Sequence, residues 1–280
     1  MTSDLTAAYR TRFGLDPAAP LAVDLPDAGG TALARILGRR SYRKFADRPV
    51  DTALRTALLA CAQSASAKSD LQQYAIIDLH DPERKAALAG LCDTAWMADA
   101  PVLLVFCGDL NRARKMGELR GHAHAQDTLD SFFNATVDTA LAMQSYILAA
   151  EAAGLGCCCV SQVRKRLPET AALLGLPPGV FPVAGLGAGW PGEARDTVLR
   201  LPPDAVVHRD TYDDSGLDAA LDGYDQRRHA ARPIPRPYKP ETYGEAAFYG
   251  WSEDHSRRLA ERSDLAGLRV FLEGHGFALE

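Results

Sequence analysis

The sequence predicts a mixed α+β fold, and three observations carry that reading. Strand-like runs at Tyr74–Leu79, Pro101–Cys107, Cys157–Val160 and Phe181–Leu186 interleave with helical stretches. Phe132–Ala153 is a long segment rich in Ala, Leu and Met that stops at Gly154, as a helix C-cap requires. The 280 residues are 47% hydrophobic and 24% charged, an ordinary globular composition with enough apolar material for one large core.

In chain order, Ser3 can cap a short helix that ends at Gly14, and a loop rich in Pro, Ala and Gly leads to a second helix at Thr31–Leu37. After the basic run Arg39–Phe45, apolar Leu54, Leu58, Leu59 and Ala62 predict a helix from Asp51 to Ala65. The polar loop Ser64–Asp70 precedes the first strand. Asp81-Pro82 is an N-cap with proline at the first helical position, opening a helix toward Leu91. Pro101–Cys107 reads as a strand buried on both faces because its apolar run is short and continuous. Pro168 opens a short helix between the last two strands. Beyond Gly223 the character changes: Arg232–Pro240 holds four prolines among Arg232, Arg236 and Lys239, which predicts an extended basic loop. Helices at Ser252–Glu261 and Asp264–Glu273 close the chain. The expected organisation is an N-terminal helical arm (1–34), a core (35–223) and a C-terminal basic loop with helices (224–280).

Several function classes are disfavoured. Lys+Arg 31 against Asp+Glu 36 leaves a net charge of -5, a field that repels nucleic acid. Met1-Thr2-Ser3-Asp4-Leu5 carries an acid where a signal peptide needs basic residues, so the protein is expected in the cytoplasm. Ala140–Val160 is interrupted by Gln144, Ser145, Tyr146 and Glu151 and broken by Gly154 and Gly156, which predicts a helix buried in protein, not in a membrane. Cys61, Cys92, Cys107 and Cys157-Cys158-Cys159 contain no C-x-x-C spacing and read as small hydrophobes in a reducing compartment. His122 and His124 sit two apart and are expected to be solvated, with no metal site.

The densest chemistry is Arg39-Arg40-Ser41-Tyr42-Arg43-Lys44-Phe45, just before Pro49 and a helix. A basic run is usually a solvated face. Arginine forks beside a serine on a short rigid segment also suit a terminal phosphate, which needs several donors in fixed geometry. Ser41-Tyr42-Arg43-Lys44 also fits the S-x-x-K signature of serine acyltransferases, but no K-T-G follows. Gly185-Leu186-Gly187-Ala188-Gly189 is followed by Trp190-Pro191 where a Rossmann helix would open, so it is not read as a dinucleotide fingerprint.

The basic run resembles the opening signature of the nitroreductase superfamily, and the resemblance continues from about Arg35 to the end. Ser64–Gln72, Leu148–Gly156, Val160–Arg164, Leu173–Leu176, Gly189-Trp190-Pro191, Arg200-Leu201-Pro202 and Trp251–Arg258 recur in the family's order and at similar spacing. The similarity is greatest to its NADPH-preferring nitroreductases and flavin reductases. It implies a three-layer α+β sandwich, a central mostly antiparallel sheet flanked by helices, in a homodimer whose C-terminal segment wraps the partner. It implies FMN as cofactor and a ping-pong transfer of electrons from NAD(P)H to nitroaromatic, quinone or flavin acceptors through flavin N5, with no catalytic acid–base residue.

Carried over position by position, Arg39, Arg40, Ser41 and Arg43 bind FMN, with Arg40 and Ser41 suited to the phosphate and Arg43 to the N1/O2 edge. The loop Ser66-Ala67-Lys68-Ser69 contacts the flavin from the other side, with Ala67 where relatives have Ser. Cys159-Val160-Ser161-Gln162 matches the segment whose backbone faces N5 and O4, with Ser161 and Gln162 where relatives have glycines. Thr94 stands where relatives have a flavin-contacting Gln. Arg200 matches a phosphate arginine, but the lysine two residues earlier is Val198, which leaves its charge either replaced by Arg195 or Lys68 or not replaced, with the phosphate held less tightly. Arg232 and Arg236 are the expected supply of cations for the 2′-phosphate of NADPH. A flavin carrier or sensor without turnover is the alternative reading.

Overall fold

The computed structural model describes residues 2–17, 27–125, 127–261 and 267–278. Helices α1 (Thr2–Phe13) and α2 (Asp27–Leu37) precede α3 (Thr52–Gln63), β1 (Tyr74–Leu79), α4 (Pro82–Leu91), β2 (Val102–Asp109) and α5 (Asn111–Arg120). Then come α6 (Leu129–Ala152), β3 (Gly156–Val160), α7 (Leu167–Leu174), β4 (Val180–Gly189), α8 (Leu217–Ala231), the single turn α9 (Pro240–Tyr243), α10 (Trp251–Leu259) and α11 (Leu268–Gly274). The described residues divide into two compact units, one of 40–125, 127–195 and 267–278, the other of 2–17, 27–39 and 196–261.

The first unit is built on an antiparallel sheet of order β1-β2-β4-β3. Strand alternation sends Val102, Leu104 and Phe106 of β2 to one face, where they meet Leu58 and Ala62 of α3 and Ala142, Tyr146 and Ile147 of α6. Leu103, Val105 and Cys107 face the other way, against Leu88, Ala89 and Cys92 around α4 and Leu174 of α7. With helices on both faces, β2 is buried along its whole length, which is why it reads as a continuous apolar run. The result is the expected three-layer sandwich with an antiparallel sheet. α11 packs in this same unit: Phe271, Leu272 and Phe277 join Leu110, Ala135 and Phe181 in a third cluster. That part of the C-terminal segment contributes to its own chain's core.

In the second unit Tyr224 of α8 is buried edge-on against Trp251, with ring centroids 5.3 Å apart. Buried Asp225 accepts from the Ser252 N–H at 2.9 Å, giving the N-terminus of α10 the anionic cap that its orphan donors need. The expected domain boundary after Gly223 falls inside α8. α5 was not expected at all, because Asn111–Arg120 buries no residue and so shows no apolar stripe.

The remaining elements lie within a few residues of expectation. Asp51 caps α3 by accepting from the Leu54 N–H at 2.8 Å, and Asp81 caps α4 through Glu83 at 2.9 Å. α6 starts three residues earlier than expected, at Leu129, with Thr128 as its N-cap. The Pro/Ala/Gly loop after Gly14 lies partly outside the described residues, as does the expected start of the last helix at Asp264. Cys92, Cys107, Cys157 and Cys158 are buried as expected, whereas Cys61 and Cys159 are exposed. His124 is not simply solvated: it lies in the loop after α5, 3.3 Å from Asp127.

Candidate active site

The basic run does not form a helix. Ser41 bridges Cys157 in parallel, the Tyr42 N–H donates to the Cys157 carbonyl at 3.1 Å, and Phe45 bridges Pro191, so Ser41–Phe45 lies extended along the edge of the sheet beside β3 and the end of β4. Gly156 permits this approach, since a Cβ there would stand 2.5 Å from the Tyr42 ring. The Tyr42 hydroxyl accepts from Arg40 Nε at 3.0 Å, which fixes the base of that side chain. Arg40 and Arg43 are exposed and Ser41 is half-buried. An extended backbone also separates Ser41 from Lys44 by roughly 10 Å at about 3.3 Å per residue. Lys44 turns to Glu193 at 3.4 Å, so the pair cannot work as an S-x-x-K nucleophile and base.

β3 delivers the second predicted segment beside the first. Cys159 is exposed, Val160 buried, and Ser161 opens a single tight turn through Arg164. Gln162 carries a buried amide oxygen with no hydrogen-bond partner. The Lys165 N–H bonds to the Gln162 carbonyl at 2.9 Å and its ammonium to Asp93 at 3.0 Å, which holds the Asp93 carboxyl below its ordinary value. Thr94 follows, and Trp96 packs near Phe45 with centroids 6.2 Å apart. The turn at 94–97 therefore abuts both predicted segments. The Thr94 hydroxyl donates to the Cys92 carbonyl at 2.9 Å, so it is committed to its own turn.

Ser66, Lys68 and Ser69 are exposed and Ala67 half-buried on a loop of unusual backbone: Ser69, Asp70 and Gln72 have φ of 51°, 56° and 51°. Sequence reasoning missed what holds this loop. Asp138, in the middle of α6 and 1% exposed, accepts from the Lys68 N–H at 2.9 Å and the Gln73 N–H at 3.1 Å. The available signal was a single acid in the apolar centre of a long helix.

Arg39 and Arg200 belong to the other unit, where both stand next to Arg12 of α1. Arg12 is 5% exposed and donates to the carbonyls of Leu37 (2.7 Å), Val198 (2.9 Å) and Arg39, while its own carbonyl accepts the Arg200 N–H at 2.9 Å. The exposed Arg200 side chain lines a cavity of about 710 Å³ with Phe13, Tyr224, Trp251 and Arg228. Of the proposed substitutes for a lysine at Val198, Arg195 is drawn to Glu193 at 3.1 Å.

Arg232 and Arg236 are exposed, with no ion pair among the described residues. Lys239 is spent: it bonds Glu261 at 2.7 Å, which raises the ammonium and lowers the carboxyl from their ordinary values. Arg257 pairs with Glu253 at 2.7 Å beneath Tyr249, and Arg258 with Asp254 at 2.8 Å. Arg262 lies outside the described residues.

Comparison with known proteins defines the class. Residues 83–190 match the model of the nitroreductase family and residues 199–280 that of the nitroreductase family C-terminal domain. An FMN reductase (NADPH) of Bacillus subtilis is 35% identical over 181 residues, covering 63% of this chain and 72% of the relative. An FMN reductase [NAD(P)H] of the same species is 32% identical over 86% of this chain and 95% of the relative. The solved structure of B. megaterium NfrA2 superposes with a TM-score of 0.80 at 31% identity, covering 89% of this chain and 98% of that one. The chain belongs to the nitroreductase family.

Proposed function

We propose that this chain is an FMN-dependent oxidoreductase that draws electrons from NADPH and passes them to nitroaromatic, quinone or flavin acceptors in a ping-pong cycle. The observation that carries the residue assignment is the basic segment laid along β3, with Arg40 and Arg43 exposed and Ser41 bridged to Cys157. These donors fit the cofactor: two guanidinium forks and a hydroxyl on one rigid segment suit a phosphate and an anionic ring edge. The unpartnered Gln162 oxygen is a buried acceptor for which an N–H-bearing heterocycle supplies the missing donor. FMN, when bound, supplies hydride acceptance and donation at N5.

Arg39, Arg40, Ser41 and Arg200 are assigned to the phosphate, Arg43 to the N1/O2 edge, and Ser66–Ser69, Thr94 and Cys159–Gln162 to the ring. Since the Thr94 hydroxyl is committed to Cys92, its contact is steric. Arg232 and Arg236 are assigned to the NADPH 2′-phosphate, supported by their exposure and by the commitment of Lys239, Arg257 and Arg258 to acids. A homodimer is supported by a stripe on α6: Leu129, Phe133, Val137 and Leu141, four residues apart, are 40% to 64% exposed. Residence in the cytoplasm is part of this proposal; among the described residues no helix is long and apolar enough to cross a membrane.

The test pairs a flavin spectrum of the purified protein with initial rates of nicotinamide oxidation. Parallel double-reciprocal lines with a quinone are expected. Arg232→Glu with Arg236→Glu raises KM for NADPH roughly tenfold or more, as loss of charge-assisted bonds to a phosphate requires, and leaves NADH and bound FMN unchanged. Equal loss with both nicotinamides removes the 2′-phosphate assignment. Bound flavin without turnover of any acceptor favours a carrier.

A further inference from the structure

The N-terminal helix lies outside the segments that resemble the family, yet its Arg12 touches both stretches that carry the phosphate arginines of the second unit. α1 ends at Phe13, so Arg12 sits in its last turn, and the residue is 5% exposed. A buried guanidinium is costly unless its donors are used. Here Nε reaches the Leu37 carbonyl at 2.7 Å, Nη2 the Arg39 carbonyl and Nη1 the Val198 carbonyl at 2.9 Å. Leu37 is the last residue of α2, so its carbonyl is one of those a helix end leaves unsatisfied, and the cation also meets the negative end of the helix dipole. The Arg12 carbonyl, in turn, accepts the Arg200 N–H at 2.9 Å. One residue thereby fixes the backbone at Arg39 and on both sides of Leu199.

We infer that Arg12 is a positioning residue for FMN phosphate recognition: it orders the backbone from which Arg39 and Arg200 project, and stands in for the missing lysine at Val198 by rigidity and nearby charge. The inference rests on the assignment of Arg39 and Arg200 to the phosphate. A phosphate rewards donors whose entropy has already been lost, so ordering two arginine-bearing strands from behind raises affinity without any contact to the ligand. Arg is needed because three carbonyls in different directions require a planar fork; a lysine ammonium keeps the charge but not that arrangement.

The experiment compares FMN with riboflavin, which lacks the phosphate. Apo-protein of the wild type, Arg12→Met, Arg12→Lys and Arg200→Ala is titrated with each flavin, following quenching of flavin fluorescence, with circular dichroism confirming the fold. Arg12→Met is expected to weaken FMN about tenfold or more while riboflavin changes less than about twofold, and Arg12→Lys to fall between it and the wild type. Equal weakening of both flavins means that Arg12 serves only general stability and overturns the inference. Should Arg12→Met not fold, Arg12→Lys decides: a wild-type ratio of FMN to riboflavin affinity overturns the proposal, a reduced ratio supports it. Arg200→Ala separates the two layers of argument. If it too leaves the ratio unchanged, the phosphate assignment itself is wrong and the inference falls with it; if it lowers the ratio while the Arg12 variants do not, the assignment stands and only the role of Arg12 is refuted.

Discussion

Asp138→Ala should loosen the loop 66–73 more than any exposed substitution nearby. The carboxylate is 1% exposed on α6 and holds the Lys68 and Gln73 N–H groups at 2.9 and 3.1 Å. Between those anchors Ser69, Asp70 and Gln72 adopt positive φ, each at a cost on the order of 1 kcal/mol for a non-glycine residue. Hydrogen bonds to a charged acceptor contribute about 1.5–3 kcal/mol each, so the two offset that strain and leave a surplus. Removing both while the loop keeps its shape is expected to cost about 3–6 kcal/mol, a large fraction of a typical total stability of roughly 5–15 kcal/mol. Asp138→Asn keeps one acceptor oxygen but points an amide donor at the other N–H, and should lose about half as much. Urea unfolding of the apo-protein measures the energies, and limited trypsin digestion reads the loop directly, because Lys68 becomes cleavable when the clamp opens. Flavin occupancy should fall alongside, since the same loop is assigned to the ring. Asp138→Ala within about 0.5 kcal/mol of wild type, with Lys68 still resistant, would refute the clamp.

Two further outcomes are expected. Light scattering of the wild type should give twice 30.1 kDa, and Phe133→Asp, in the middle of the exposed α6 stripe, should shift it toward monomer; a wild-type monomer refutes the dimer, and a dimeric variant moves the interface elsewhere. Stability should fall as pH rises above 9, because burial pushes the Cys92 thiol to about 11 and the Cys107 thiol to about 12. The sign follows from linkage: between 9 and those values the folded chain keeps protons that the unfolded chain has lost, so alkalinity favours unfolding by up to about 1.4 kcal/mol per pH unit for each thiol. Tm measured from pH 8 to 11 should decline less in Cys107→Ala than in wild type, and identical slopes refute the contribution of that thiol.

Local patterns carried much of this molecule. Tyr74–Leu79 is a strand at the predicted residues, Asp51 and Asp81 cap the helices they were expected to cap, and a glycine stops the long helix. Period and caps are properties of neighbours in sequence, so they can be read without the fold. The phosphate-like basic run was legible for the same reason, as a cluster of forks and a hydroxyl within seven residues. α5 and α8 were hidden because a helix that buries few side chains has no apolar stripe to display. Tertiary structure decided that Lys239 is unavailable, because Glu261 reaches it from 22 residues away, whereas Arg257–Glu253 and Arg258–Asp254 are i,i+4 pairs on one helix and could have been read from spacing. It also revealed the two groups that hold the assigned segments from behind. Asp138 lies 70 residues from Lys68, and Arg12 lies 186 residues from Val198. Sequence by itself determined which chemistry the chain carries. Long-range hydrogen bonds from buried side chains to backbone groups, which have no periodic trace, determined where the assigned segments are held.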